Sequence, residues 1–200
     1  MHTRMDVTLA GLPFTASDDD AWLIDSATSL TGDAGPRTDL FVDPGTGQAT
    51  RNAPRLLTAA PEGDFQLVAE VAAFHEATYD AGALLVWAGD DTWAKLAFEY
   101  SPQSTGMVVT VVTRGLSDDA NGYTVDNLSV WLRISRIGPA WACHASADGV
   151  AWDLIRHFSL GSGDVQVGFV VQSPTGDGCR ARFTHIALTP TTLSDLRDGS

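Results

Sequence analysis

Nine short apolar or alternating runs recur along this chain, at 65–74, 83–87, 93–100, 107–114, 129–137, 141–146, 151–158, 165–172 and 180–188, separated by clusters of Gly, Pro, Asp and Ser. β-Branched and aromatic residues dominate several of them, which is strand chemistry. Their regular spacing predicts an all-β sandwich of two antiparallel sheets. The chain has 200 residues, and a domain of that size buries roughly 70% of its unfolded surface without needing a staple. No repeat of fixed period and no low-complexity linker interrupts it, so 1–200 reads as one domain, with 193–200 as a tail or a single helical turn. The first 35 residues are less legible. Trp22-Leu23-Ile24 reads as a strand, and the Gly-Pro segment 32–36 and Asp43–Gly47 read as turns.

The stretch Trp93-Ala94-Lys95-Leu96-Ala97-Phe98-Glu99-Tyr100 holds the only lysine, beside eleven arginines elsewhere. It fits a short helix, with Trp93, Leu96, Ala97 and Tyr100 on one side. Both neighbouring runs are strands, however, and connections of about five residues suit hairpins. Read as a strand, it turns Leu96, Phe98 and Tyr100 one way and Trp93, Lys95, Ala97 and Glu99 the other. One face is core; the other carries an aromatic, a cation and a carboxylate. Four residues of strand span about 13 Å, so Lys95 and Glu99 need separate partners on other strands, or a ligand. Arg133, in Trp131-Leu132-Arg133, is a candidate cross-strand partner for Glu99, either as a register-setting ion pair or as a ligand contact. Gln172 joins the polar face because the alternation Val165, Val167, Phe169, Val171 buries the other side.

Several functions are excluded or weakened. The formal net charge is −13, and such a surface repels phosphate backbones and anionic membranes. The five histidines lack metal-ligand spacing, and no HExxH or CxxC occurs. No cofactor is expected; the Asp clusters at 18–20, 90–91 and 118–119 leave room only for a loop calcium, without EF-hand spacing. No nucleophile elbow or phosphate loop is present. Cys143 and Cys179 are read as reduced, with Cys143 a small buried hydrophobe on the side of Trp141. Ser146-Ala147-Asp148-Gly149 reads as a hairpin with Asp-Gly in its turn. The N-terminus lacks an apolar leader and no run suits a membrane span, so a cytoplasmic location is expected.

Together these residues resemble the "regulation of enolase protein 1"-like family, domain of unknown function 1349, of the concanavalin A-like lectin/glucanase superfamily. The resemblance covers about 38–188. It rests on W-x-K-x-x-x-E-Y at Trp93, Lys95, Glu99 and Tyr100, on Val111-Val112-Thr113 followed by Ser117-Asp118, and on Trp131-Leu132-Arg133. Weaker matches are Thr38-Asp39, Gly63-Asp64-Phe65, Tyr79-Asp80, Ser146-x-Asp148-Gly149 and Ser173-Pro174. Two aromatic positions depart from the pattern: Asp119 stands where tryptophan often follows Ser-Asp, and Phe41 where tryptophan is common after Thr-Asp. The resemblance implies a jelly roll and brings no established activity.

The expected function is therefore non-catalytic binding of a small polar ligand, plausibly a saccharide, on the concave sheet face, at Trp93, Lys95, Glu99, Arg133, Gln172 and Asp118. One alternative is a glycan-active hydrolase or lyase using Glu99. It is weakened because glycoside hydrolysis needs two carboxylates and the strand carries one, so Asp118 or Asp119 would have to fold over the sheet. Another alternative is a regulatory or scaffold protein with no small ligand.

Overall fold

The computed structural model describes residues 6–161 and 163–200. Its strands form two large antiparallel sheets. The first runs, edge to edge, β1 (Asp6–Leu9), β2 (Leu12–Ala16), β7 (Arg55–Ala59), β16 (Gln166–Gln172), β9 (Ala81–Gly89), β10 (Thr92–Tyr100), β11 (Gly106–Arg114) and β12 (Leu116–Val125). The second runs β15 (Asp153–Phe158), β14 (Ala140–Ser146), β13 (Val130–Ile137), β8 (Phe65–Phe74), β17 (Cys179–Thr189), β4 (Ser29–Ala34) and β3 (Trp22–Ser26). A small hairpin, β5 (Leu40–Val42) with β6 (Ala49–Arg51), belongs to neither. The only helix among the described residues is one 3-10 turn at Asp19–Ala21, which Asp18 caps. The chain is thus the all-β sandwich that the spacing of its apolar runs predicts.

Alternation places the core. Phe65, Leu67, Ala69 and Val71 of β8, Leu132 and Ile134 of β13, and Ala181 and Phe183 of β17 point inward from the second sheet. Ala94, Leu96 and Phe98 of β10, Val108 and Val112 of β11, and Val167, Phe169 and Val171 of β16 meet them from the first. Close packing decides where glycine is required. A methyl at Gly168 would land on the Leu56 carbonyl oxygen of the neighbouring strand, and one at Gly82 would lie 2.6 Å from the Ala181 methyl.

The first sheet is also buried on part of its outer face, which explains why β9 reads as a continuous apolar run rather than an alternating one. Ala81, Ala83 and Leu85 of β9, Trp93 and Ala97 of β10, Val109 of β11, Val170 of β16 and Leu57 of β7 form a second apolar cluster there, under Leu40, Val42 and Ala53. The lid is the 38–53 segment carrying the β5–β6 hairpin. It is tied down by paired backbone bonds between Thr38 and Ser173, both 3.1 Å, and by the Val42 N–H donating to Ser117 Oγ at 2.9 Å. Arg51 extends the attachment by donating to the Asp90 carbonyl at 2.7 Å and pairing with Asp91 at 2.8 Å.

Two further readings resolve locally. The 91–100 stretch is strand from Thr92, not helix, because β11 pairs with it from Thr92 to Tyr100 and β9 from Trp93 to Glu99. Cys143 and Cys179 are both buried and unbridged, and burial raises each thiol to about 12.

Candidate functional site

The polar face of β10 sits at the open end of the region covered by the hairpin. Strand register assembles it. Lys95 lies opposite Val111 of β11, which lies opposite Asp119 of β12. Glu99 lies opposite Ala81 of β9, which lies opposite Gln172 of β16. Directly opposed residues share a face, so Lys95, Glu99, Asp119 and Gln172 all project outward. The 38–53 segment crosses above them and contributes Asp39, Phe41 and Asp43. The result is a cavity of about 310 Å³ lined by these seven residues together with Tyr79, Val111 and Pro174. That is the lower end of the size range of small-molecule sites.

Lys95 is 2% exposed. Its Nζ donates to Gln172 Oε1 at 2.7 Å and pairs with Asp39 Oδ1 at 3.5 Å. Burial of an ammonium is costly unless it is paired and hydrogen-bonded, and these two contacts offset that cost. Gln172 is itself oriented, because its Nε2 donates to the Tyr79 carbonyl at 3.3 Å. That carbonyl is presented by a backbone turn in which Tyr79 has a φ of 73°, a conformation uncommon outside glycine. Asp80 holds the turn: fully buried, it accepts from Ser173 Oγ at 2.7 Å and from the Glu76 and Ala77 N–H groups at 3.0 and 2.8 Å. The chain Asp80–Tyr79–Gln172–Lys95–Asp39 therefore fixes the ammonium in place.

Glu99 differs. It is half-buried, and no hydrogen bond or ion pair reaches its carboxyl among the described residues. Burial pushes its pKa up to about 7, Lys95 opposes the rise, and Asp119 and Asp39 add to it. Asp119 is also raised, again mainly by burial and against the pull of Lys95. Asp43 is held below the ordinary range by its own turn, where it accepts from the Thr46 and Gly45 N–H groups and the Thr46 hydroxyl. The site thus combines one fixed ammonium with carboxyls of unequal proton affinity.

Three of the six residues expected from sequence, Lys95, Glu99 and Gln172, come together. The other three do not line the cavity. Trp93 shares their face but is fully buried, stacked on Trp87 at 5.6 Å beneath the hairpin, with its indole N–H unpartnered; it is a floor for the lid, not a platform for a ligand. Arg133 is in the other sheet, between β8 and β14, so it cannot pair with Glu99. Its guanidinium donates to the Gly199 carbonyl at 2.6 Å and lies over Trp152 at 4.2 Å. Asp118 points to the opposite side of β12 from Asp119 and pairs with Arg156 at 3.0 Å. Sequence reasoning left out Asp39, Asp43, Tyr79 and Phe41 as site residues, and offered Asp119 only as a second carboxylate for the hydrolase alternative. The signal for two of them was present: Phe41 and Asp119, the departures from the family pattern, both line the cavity. Another depression, about 490 Å³ and more open, lies around Phe74, Glu76 and Arg180. Its ion pair, Arg180 with Asp33, is solvent-exposed, and it holds no buried charged group to organise a ligand.

A family model described as "Protein of unknown function (DUF1349)" matches residues 16–191. The chain belongs to the DUF1349 family. The match extends the stretch recognisable from motifs to include β3, β4 and the later part of the first 35 residues, which were hard to read. No curated protein matches the chain. Among solved structures, a functionally unknown protein from Saccharomyces cerevisiae superposes with a TM-score of 0.74 at 23% identity, covering 85% of this chain and 95% of that one. The GH43 protein BlXynB from Bacillus licheniformis, as its K247S mutant, gives 0.71 at 13% identity over 89% of this chain but 37% of its own. An alginate lyase from Klebsiella pneumoniae gives 0.55 at 15% identity, covering 85% and 84%. These likenesses concern the fold: this DUF1349 chain has the jelly-roll sandwich, and it spans little more than a third of the GH43 chain. No helix of the described residues is long and apolar enough to cross a membrane, and no group of His, Cys, Asp and Glu side chains among them is arranged to hold a metal ion.

Proposed function

We propose that this DUF1349 protein binds a small polar ligand, a saccharide by preference, in the cavity between β10, β12, β16 and the hairpin segment. The observation that carries the reading is Lys95. A buried ammonium oriented by Asp39 and Gln172 faces a partly open cavity in which Glu99 feels the Lys95 charge but has no hydrogen-bond or ion-pair partner among the described residues. A scaffold protein has no use for an unsatisfied, half-buried carboxyl, whereas a ligand hydroxyl satisfies it by donating a hydrogen bond. The sandwich also recurs in proteins whose names describe glycoside hydrolases and an alginate lyase, which supports saccharide chemistry by analogy of fold alone. The test is a glycan screen followed by NMR titration of the labelled protein. Saturable shifts confined to residues around Lys95, Glu99 and Gln172 are expected, and their absence across neutral, cationic and acidic saccharides overturns the reading.

A second reading is favoured by one observation, the rise of Glu99 to about 7. A carboxyl that titrates near neutrality suits general acid or base work, and Asp119 supplies a second carboxyl in the same cavity. Binding is preferred because Lys95, Gln172 and Asp39 are locked into one another. No turnover of β-glucans or aryl glycosides is expected; hydrolysis or elimination that disappears in Glu99→Gln would move the protein to the enzymes.

A further inference from the structure

The charge balance of the cavity goes further than its location. Four of its lining side chains carry carboxyls, Asp39, Asp43, Glu99 and Asp119, against one ammonium, Lys95. Lys95 is also engaged: Asp39 neutralises it and Gln172 accepts from it. An ammonium has three donors, so one N–H of this buried group remains for a ligand oxygen. Asp43 is directed into its own turn by three donors. Asp119 has its ion-pairing neighbour Arg156 turned toward Asp118 instead, on the opposite side of β12. Glu99 and Asp119 are then the groups that meet a ligand, from two different strands.

We infer that the cavity selects a ligand carrying both hydroxyls and an ammonium, the chemistry of an amino sugar, and rejects uronates. The inference rests on the binding reading above and specifies its ligand class. A hydroxyl or ring oxygen accepts from the remaining Lys95 N–H. An amino group donates to exposed Asp119 and half-buried Glu99, forming charge-assisted hydrogen bonds, which are stronger than neutral ones. A uronate carboxylate would be repelled by Asp119 and by the ionised fraction of Glu99, and would find the Lys95 charge neutralised by Asp39 with one N–H left to donate. Repulsion of that kind is the element that makes a polar site specific. The other charged groups of the surrounding elements do not reverse the sign: Arg51 is engaged with Asp91, and Arg55 lies over Trp87 at 4.5 Å.

The test titrates the full chain, at pH 7 and low salt, with D-glucosamine, D-glucose and D-glucuronate, reading chemical shifts of the cavity residues. Glucosamine is expected to bind about tenfold more tightly than glucose, equivalent to about 1.4 kcal/mol, with glucuronate weaker than glucose. Asp119→Asn, checked for a native spectrum, should bring glucosamine down to the level of glucose measured on the same variant. Glu99→Gln is the second variant should the first fail to fold. The glucosamine preference should shrink at high salt, because charge selection at a partly open site is screened. Equal binding of glucosamine and glucose, or tighter binding of glucuronate, overturns the charge selection and leaves the saccharide site standing. No shift with any of the three overturns both.

Discussion

Lys95 is singular in composition and in environment, and the two facts have one cause. A compact ammonium on a flexible stem fits between a carboxylate and an amide where a planar guanidinium would need a wider fork of acceptors. Lys95→Ala would leave Asp39 and Gln172 without their partner, and breaking a buried pair costs about 3–5 kcal/mol; urea denaturation of the variant reads this directly. A much smaller loss would mean that the hairpin, not the ion pair, holds Asp39 in place. Glu99 gives a prediction in pH. Its folded pKa of about 7 lies above the ordinary value of 4.5. The folded state therefore holds this proton more tightly, and the associated stability is present at low pH and lost as pH rises from about 4.5 through 7. Glu99→Gln, which mimics the protonated form, should be more stable than the parent at pH 8 by up to about 3 kcal/mol. The difference should vanish below pH 4.5. Thermal melts of both proteins across that range check the sign; a variant less stable than the parent at pH 8 would show that the carboxylate is favourably paired.

Among the elements, β10 was legible because its neighbours settled its ambiguity. Alternation separated Leu96 and Phe98 from Lys95 and Glu99, and strand spacing showed that the two charges need different partners. The same reasoning failed for Arg133. Alternation along β13 gives the face that a residue shares with its neighbours in the strand, but not the sheet to which the strand belongs. Trp93 failed for a related reason: a residue on the polar face of β10 is exposed or buried according to whether the 38–53 hairpin lies over it, and that contact joins segments at least 40 residues apart. Phe41 and Asp119 carried a signal, since both break the family pattern, yet nothing local shows that they converge. Gly168 illustrates a tighter constraint between elements. The Leu56 carbonyl occupies the space of a side chain there, so Gly168→Ala should cost about 1–3 kcal/mol through overpacking, measured by chemical denaturation. An unchanged midpoint would mean that β7 can move away from β16.

For the whole molecule, the order of strands matters more than their number. β16 lies between β7 and β9 in one sheet, and β17 lies between β8 and β4 in the other. Neither sheet is complete until the last two strands are made, and the pairings that assemble the hairpins into sheets join distant segments. Folding dominated by non-local pairing is slow, in the millisecond-to-second range or longer. A chain ending after Phe158 should therefore lack native structure, giving a collapsed near-UV circular dichroism signal and a poorly dispersed NMR spectrum. A native-like spectrum from that fragment would show that the remaining strands close the sheets without β16 and β17. The amino-acid sequence by itself determined the all-β class, the inward and outward faces of most central strands, the family, and Lys95, Glu99 and Gln172 as members of a polar face. Those follow from period-two alternation and residue chemistry, which are local. Tertiary structure alone decided that Asp39 and Asp119 join them, that Trp93 lies under a lid and that Arg133 and Asp118 face elsewhere, because sheet order and the path of the 38–53 segment depend on contacts between residues far apart in the chain.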